Sequence, residues 1–245
     1  MIFQITSRTN DKIKRLVSLR EKKNRIKEGL FVIEGKKNFE MALEAGLVQE
    51  VYTLKKMKLP AEISQYIINE PVLDKISLNR NPDGLVFVAK IPQLELKKKD
   101  KLLFVDNIQD PGNLGTIIRT ALAFNYDGVI LNEHTVDPFS EKVVSASKGA
   151  IFKIPVLFDK LKNYKEKNKI VVSTLSENSV SLEDLNINGP FVLVLGNEGS
   201  GVSEETLLLS DTNVKINMQG IDSLNVAIAG GILMYEISKK GEKLL

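Results

Sequence analysis

Cysteine and tryptophan are missing from this chain, and histidine occurs once, as His134. Without cysteine the chain has no disulfide, no thiolate zinc site and no thiol nucleophile. A single histidine excludes a multi-histidine metal site within one chain. No apolar run approaches the roughly 20 residues of a membrane span, and the N-terminus is polar by Thr6. We therefore expect no membrane segment, no signal peptide and a cytoplasmic location.

Charge is distributed unevenly along the 245 residues. Residues 1–92 carry 17 Lys and Arg against 11 Asp and Glu, whereas residues 93–245 carry 17 against 20. This asymmetry predicts a polyanion-binding module joined to a more neutral one. Residues 8–27 hold nine basic residues and no aromatic, so they can bind phosphates but not stack bases; a solvated basic helix is the alternative. The candidate RNA contacts here are Lys12, Lys14, Arg15, Arg20, Lys22, Lys23 and Arg25.

Apolar patterning predicts two α/β units, residues 1–92 and residues 102–245, joined by a lysine-rich linker over 93–101. In the first unit we expect helices over 10–27, 37–45 and 61–68, and strands over 30–33, 48–54 and 84–89. In the second unit, short β-branched runs predict buried strands of a parallel sheet over 102–105, 128–131, 170–174, 191–195 and 214–216. Helices are expected between them at about 114–124, 140–148, 160–167, 203–209 and 224–238.

The first motif, residues 110–119, follows the strand expected at 102–105. Asn113 stands where a helix N-cap is expected, and capping alone is one interpretation of it. Arg119 lies off the apolar stripe of this helix, where a lone arginine is more often a solvated surface charge. Its small neighbours Thr116 and Thr120 leave room for a partner subunit or a ligand phosphate to reach the guanidinium.

The second motif, residues 196–201, reads Gly-Asn-Glu-Gly-Ser-Gly and follows the strand expected at 191–195. Its glycines permit a tight loop that a ligand approaches closely. The order matches neither a dinucleotide fingerprint nor a P-loop. Glu198 would repel a phosphate and suits an arginine or a ligand amine. A plain turn is the alternative.

The third motif, residues 223–227, precedes a helix that is apolar nearly all round, which predicts that the helix is buried or packs on a partner. Ser223 is positioned to cap this helix. Asn225 is a polar amide in the expected first turn. Because buried amides need hydrogen-bond partners, Asn225 is a candidate site residue.

In this order and spacing, the three motifs resemble the SpoU-type (TrmH-like) RNA ribose 2′-O-methyltransferases, a branch of the knotted SPOUT class. Residues 143–152 are similar to the family segment between the first and second motifs, and residues 31–36 and 81–84 are similar to its N-terminal RNA-binding domain. The resemblance implies a C-terminal α/β domain with a parallel sheet and a deep trefoil knot, preceded by a small α/β RNA-binding domain. It also implies a homodimer that forms through the knotted domain and completes each site across the interface.

The resemblance further implies S-adenosylmethionine as the cofactor and S-adenosylhomocysteine as the product, with no metal. The cofactor-binding residues would be Thr174, Leu175, Gly196, Asn197, Ile216, Met218 and Leu224. The catalytic residues would be Asn113, Arg119, Glu198, Ser223 and Asn225. Of these, Arg119 would orient the ribose 2′-hydroxyl and stabilise developing negative charge. Glu198 would orient Arg119 or a group of the partner subunit.

We therefore expect 2′-O-methylation of RNA, with 23S rRNA favoured because the chain has a separate N-terminal domain. A tRNA ribose methyltransferase is the alternative within the same chemistry. A non-catalytic RNA-binding factor of ribosome assembly is the alternative from another class. A dinucleotide-dependent oxidoreductase is disfavoured because no glycine fingerprint follows the first strand of either unit.

Overall fold

The structure, a computed structural model, describes residues 1–78 and 82–242, with side chains up to residue 240. Of the segment 81–84 that entered the family resemblance, Asn81 lies outside the described residues. Five strands of the N-terminal part form one mixed sheet of order β1-β4-β3-β5-β2. These strands are β1 (Ile2–Ile5), β2 (Leu30–Glu34), β3 (Val48–Thr53), β4 (Ser64–Ile68) and β5 (Leu85–Lys90). The helices of this part are α1 (Asp11–Ser18), α2 (Lys22–Glu28), α3 (Lys36–Glu44) and α4 (Glu70–Ile76).

Seven strands of the C-terminal part form a second sheet of order β10-β12-β9-β11-β6-β7-β8, in which every pairing is parallel. They are β6 (Lys101–Val105), β7 (Gly128–Leu131), β8 (Val156–Phe158), β9 (Lys169–Ser173), β10 (Val180–Ser181), β11 (Phe191–Leu195) and β12 (Thr212–Lys215). The helices are α5 (Pro111–Ala123), α6 (Glu141–Ser147), α7 (Glu204–Leu208) and α8 (Val226–Glu242). The predicted α/β class with a parallel sheet is confirmed.

Both faces of the second sheet are covered, as its continuous apolar strands predict. Leu103 and Leu193 lie in one buried cluster with side chains of α5, α6 and α8. On the other face, Phe104 and Val192 pack with Leu161 of a short 3₁₀ turn. Strand β11 lies between β6 and β9, so a late segment of the chain returns to the centre of the sheet. The carboxyl ends of β9, β11 and β6 therefore meet at one edge. The threading of the trefoil knot stays a prediction.

The two sheets share packed contacts. Phe31 of β2 lies 5.4 Å from Phe139 and 6.3 Å from Phe152, measured between ring centroids. Arg25 of α2 forms an ion pair of 2.5 Å with Asp137. Residues 91–100 carry neither helix nor strand and connect the sheets. The exact division of the chain into domains stays a prediction.

Three helix predictions need correction. The helix expected over 10–27 is two helices separated at residues 19–21, and Gly29 with φ 65° ends the second. The helix expected over 61–68 is wrong, because residues 64–68 form strand β4 between β1 and β3. Residues 160–167 hold only a 3₁₀ turn, Leu161–Tyr164. Long-range pairing overrides local propensity in the second case. Among the described residues, no helix is both long and apolar enough to cross a membrane.

Candidate active site

A cavity of about 450 Å³ lies at the carboxyl ends of β9, β11 and β12. The loops that line it follow these strands, which is where ligands bind in parallel α/β sheets. Glu198 and Ser223 of the predicted catalytic set belong to its lining. All seven predicted cofactor residues line this cavity as well: Thr174, Leu175, Gly196, Asn197, Ile216, Met218 and Leu224.

Asn197 shapes the glycine-rich loop at the centre of this cavity. Its backbone N–H donates to the Gly201 carbonyl at 2.8 Å, and the Gly201 N–H donates back at 3.0 Å. The Asn197 side-chain oxygen accepts from the N–H groups of Gly199 and Ser200 at 2.8 and 3.1 Å. Its amide group donates to the Asn107 carbonyl at 2.8 Å, which ties the loop to the end of β6. The loop is therefore held closed by hydrogen bonds of one asparagine.

Asn113 connects the first motif to the other two. Its amide nitrogen donates to Glu198 Oε1, and its amide oxygen accepts from Asn225 Nδ2 at 3.0 Å. The expectation that Asn113 caps the helix is wrong. The cap is Asp110, which accepts from the Asn113 backbone N–H at 2.8 Å, and Pro111 opens the helix. This leaves the Asn113 side chain free to join two distant segments, at Glu198 and Asn225, to its own helix.

Asn225 is the cap of α8. Its side-chain oxygen accepts from the backbone N–H groups of Ala227 and Ile228 at 2.9 and 3.3 Å. The predicted cap at Ser223 is corrected, since the helix begins at Val226. Asn225 is also exposed rather than buried in a helical turn. Its amide satisfies two helix N–H groups and still donates to Asn113, so its orientation is fixed from both ends.

Arg119 lies on the exposed side of α5, six residues beyond Asn113 and so about 9 Å further along the helix axis. Among the side chains that the structure describes, none forms a hydrogen bond or ion pair with its guanidinium. Glu198 contacts Asn113, so the expected orientation of Arg119 by Glu198 of the same chain is not seen. Within the described part of this chain, Arg119 is therefore not joined to the set formed by Asn113, Glu198 and Asn225.

Six of the seven candidate RNA contacts keep their side chains exposed or half-exposed: Lys12, Lys14, Arg15, Arg20, Lys22 and Lys23. Arg25 is different. It is only 6% exposed, and its guanidinium binds Asp137 and the carbonyls of Leu19 and Arg20. The RNA-binding assignment of Arg25 is therefore corrected, because this buried side chain joins α2 to the segment before α6.

The family models match both parts of the chain. Residues 100–235 match the SpoU rRNA Methylase family, and residues 10–86 match the MRM3-like substrate binding domain. The chain belongs to the SpoU rRNA methylase family. The predicted resemblance is thereby confirmed, and the substrate-binding match coincides with the basic part of the sequence.

Relatives of this SpoU methylase match it over nearly its whole length. The 23S rRNA (guanosine(2553)-2′-O)-methyltransferase RlmP of Bacillus subtilis is 34% identical over 96% of this chain and 98% of its own. An AdoMet-bound rRNA methyltransferase from Sinorhizobium meliloti has a TM-score of 0.85 at 30% identity, covering 98% of each chain. The SpoU methyltransferase AviRb from Streptomyces viridochromogenes, in complex with AdoMet, has a TM-score of 0.83 at 25% identity, covering 95% of this chain and 98% of its own.

The cavity of this SpoU methylase fits S-adenosylmethionine by its size and its lining. Its volume of about 450 Å³ lies within the usual range of small-molecule sites. Leu175 and Leu224 offer apolar surface for an adenine ring, and the Glu198 carboxylate offers an acceptor to a cationic ligand. Among the residues that the structure describes, no group of three His, Asp or Glu side chains could hold a metal ion.

Several residues that line the cavity were not predicted from the sequence. Lys215 ends β12 and places a cation in the lining, and Val226 and Ala229 line the cavity from the first turn of α8. Lys215 directly precedes the predicted Ile216. The spacing of Val226 and Ala229, three residues apart on one helix face, was the signal that could have found them.

Proposed function

We propose that this chain transfers a methyl group from S-adenosylmethionine to a ribose 2′-hydroxyl of 23S rRNA. The observation that carries the proposal is a pair of hydrogen bonds: Asn113 donates to Glu198, and it accepts from Asn225. These bonds join the three separated motifs beside a cavity of suitable size and lining. An arrangement of this kind positions two reactants, which is the main task in a direct methyl transfer.

Each part of the site has a task in this reaction. S-adenosylmethionine, when bound, supplies a methyl group on a cationic sulfur. Glu198 and the loops at Thr174 and Ile216 hold the cofactor in the cavity. Asn113 and Asn225 orient the ribose through amide groups whose own positions are fixed, and Ser223 offers a further hydroxyl. The Arg119 guanidinium orients the 2′-hydroxyl and stabilises the negative charge that develops on its oxygen as the hydroxyl proton passes to water.

We further propose that Arg119 acts in the site of a partner subunit within a homodimer. Its exposed position and its lack of a partner among the described residues support this. Next to α5, helix α8 exposes Ile228, Ile232 and Tyr235, which share one helix face. A stripe of exposed apolar side chains marks a protein interface. The dimer would cover this stripe and complete each site.

The N-terminal unit, residues 1–92, would bind the RNA, the linker 93–101 would connect it, and residues 102–245 would carry the chemistry. The name of the relative RlmP and the match to a substrate binding domain support ribosomal RNA over tRNA. The reaction would take place in the cytoplasm, where bacterial ribosomal RNA is made. The non-catalytic alternative is disfavoured by the connected set Asn113, Glu198 and Asn225.

A complementation experiment tests the shared site. Arg119→Ala and Glu198→Ala are expected to be inactive alone, the first with unchanged binding of S-adenosylhomocysteine. Co-expressed, half of the dimers are mixed, and each mixed dimer regains one site that has both residues. We expect about a quarter of wild-type methyl transfer from the co-expressed pair. A pair that stays inactive would refute the shared site, and wild-type turnover by Arg119→Ala would refute its role.

The substrate is tested by tritium transfer from labelled S-adenosylmethionine to unmodified RNA. Label in 23S rRNA at a position that resists alkaline cleavage is the expected result. Label in tRNA alone would overturn the choice of substrate and leave the chemistry in place. If the protein binds the cofactor but no label appears in naked RNA or in ribosomal particles, the proposed methyltransferase activity is wrong.

A further inference from the structure

Three aromatic side chains form a row across the N-terminal sheet. Phe3 of β1 is paired with Tyr66 of β4, and Tyr66 is paired with Tyr52 of β3. The ring centroids lie 5.4 Å and 4.8 Å apart, and the ring planes differ by only 21° and 18°. The three rings are therefore stacked from one strand to the next.

The row ends at Phe3, whose ring is partly exposed. Tyr52 and Tyr66 are buried, whereas Phe3 is 45% exposed. Strand β1 is the edge of the sheet, and no described strand pairs with its outer side. Because Tyr66 covers the inner face of the Phe3 ring, the accessible part is the outer side. A further flat ring would continue the row there.

Positive charge lies beside this row. Lys12 of α1 places its Nζ 5.6 Å from the centroid of the Tyr66 ring and 3.2 Å from Glu50, and it remains exposed. Burial by itself would lower the Lys12 pKa, but Glu50 and Tyr66 raise it overall, so Lys12 stays cationic. Arg8, in the loop between β1 and α1, is exposed as well. Lys12, over the ring next to Phe3, and Arg8, five residues after Phe3 in the chain, therefore give this end of the row exposed positive charge.

We propose that Phe3 is a stacking site for a base of single-stranded RNA, with Lys12 and Arg8 binding the adjoining phosphates. Aromatic rings combined with a cationic groove are the usual means of binding single strands. The basic segment 8–27 has no aromatic of its own, and the tertiary structure supplies one from β1. The site rests on the proposed function, because RNA is the substrate there.

The stacking site lies away from the chemistry. Strand β2 lies at the opposite edge of the sheet, and its Phe31 contacts Phe139 of the C-terminal part. Four strand spacings separate β1 from β2, which is about 19 Å. Phe3 would therefore hold a distant part of the RNA, and its loss would raise KM without changing kcat.

The absence of tryptophan gives a direct test. Phe3→Trp introduces the single tryptophan of the chain, which can be excited selectively over the five tyrosines, and Ile2→Trp is the matched control. Ile2 is 51% exposed, and it points to the opposite face of β1 because successive strand residues alternate. The probes are hexa-adenylate and an abasic ribose-phosphate hexamer of equal charge. We expect hexa-adenylate to quench Phe3→Trp strongly, while the abasic hexamer and the Ile2→Trp control give little quenching.

Equal quenching of both variants, or equal quenching by the abasic hexamer, would overturn the stacking site. A tryptophan signal that changes with protein concentration in the absence of RNA would also overturn it, because it would indicate pairing of β1 with a second copy. Full-length enzyme with Phe3→Ala should bind hexa-adenylate about tenfold more weakly and show a raised KM, and Phe3→Tyr should restore both. Wild-type affinity and KM in Phe3→Ala would refute the proposal and leave the methyltransferase assignment intact. If wild-type enzyme transfers no methyl group, the quenching experiment still decides the stacking site.

Discussion

Gly196 is the position where one added methyl group should weaken both the fold and the binding of the cofactor. A Cβ at this position would lie 2.5 Å from the Gly201 carbonyl carbon and 2.6 Å from the Val202 nitrogen. Ordinary contacts are 3.4–4 Å, so the backbone of the loop has to retreat by roughly 1 Å. The retreat strains the two hydrogen bonds between Asn197 and Gly201 that close the loop. Overpacking of this kind costs about 1–3 kcal/mol.

Gly196→Ala is therefore expected to lower Tm by about 2–12 °C. Because the displaced loop lines the cofactor cavity, affinity for S-adenosylhomocysteine should fall about 5- to 150-fold. The assays are thermal unfolding and isothermal titration calorimetry. Gly199→Ala is the matched control for thermal unfolding, since a Cβ at Gly199, in the same loop, meets only Asn197 Oδ1, at an ordinary 3.6 Å. Wild-type Tm and affinity in Gly196→Ala would refute the reasoning.

Two further predictions concern stability. Arg25→Met removes the buried cation and leaves Asp137, whose side chain is only 13% exposed, without its partner. It should lower the free energy of unfolding by about 3 kcal/mol in chemical denaturation, whereas Lys23→Met, at an exposed ion pair, should change it by less than about 1 kcal/mol. Equal effects would contradict the structural role of Arg25. The Tyr126 hydroxyl is buried and finds no hydrogen-bond partner among the described residues, so Tyr126→Phe should raise the unfolding free energy by about 1 kcal/mol. A lower denaturation midpoint in Tyr126→Phe would indicate that the hydroxyl is bonded.

Local patterns predicted much of the fold because many helices and strands depend mainly on residues that are close together in the sequence. The apolar strand at 191–195 was placed at its observed bounds, since a fully buried parallel strand reads as a continuous apolar run. Strand β4 was mistaken for a helix because its pairing partners, β1 and β3, lie far from it in sequence. The caps at Asp110 and Asn225 were missed because each helix began a few residues away from the expected start.

By itself, the sequence determined the family, the class of fold and the loops that line the cavity. These properties can be predicted from short segments of sequence. Glycine and asparagine favour particular loop conformations, and a continuous apolar run indicates a buried strand, whatever the rest of the chain does. Tertiary structure alone decided which side chains meet. It joined Asn113 to Glu198 and Asn225, separated Arg119 from them, and buried Arg25 against Asp137. Such contacts depend on the relative placement of elements up to 112 residues apart, which the packing of the whole chain sets and no local pattern records.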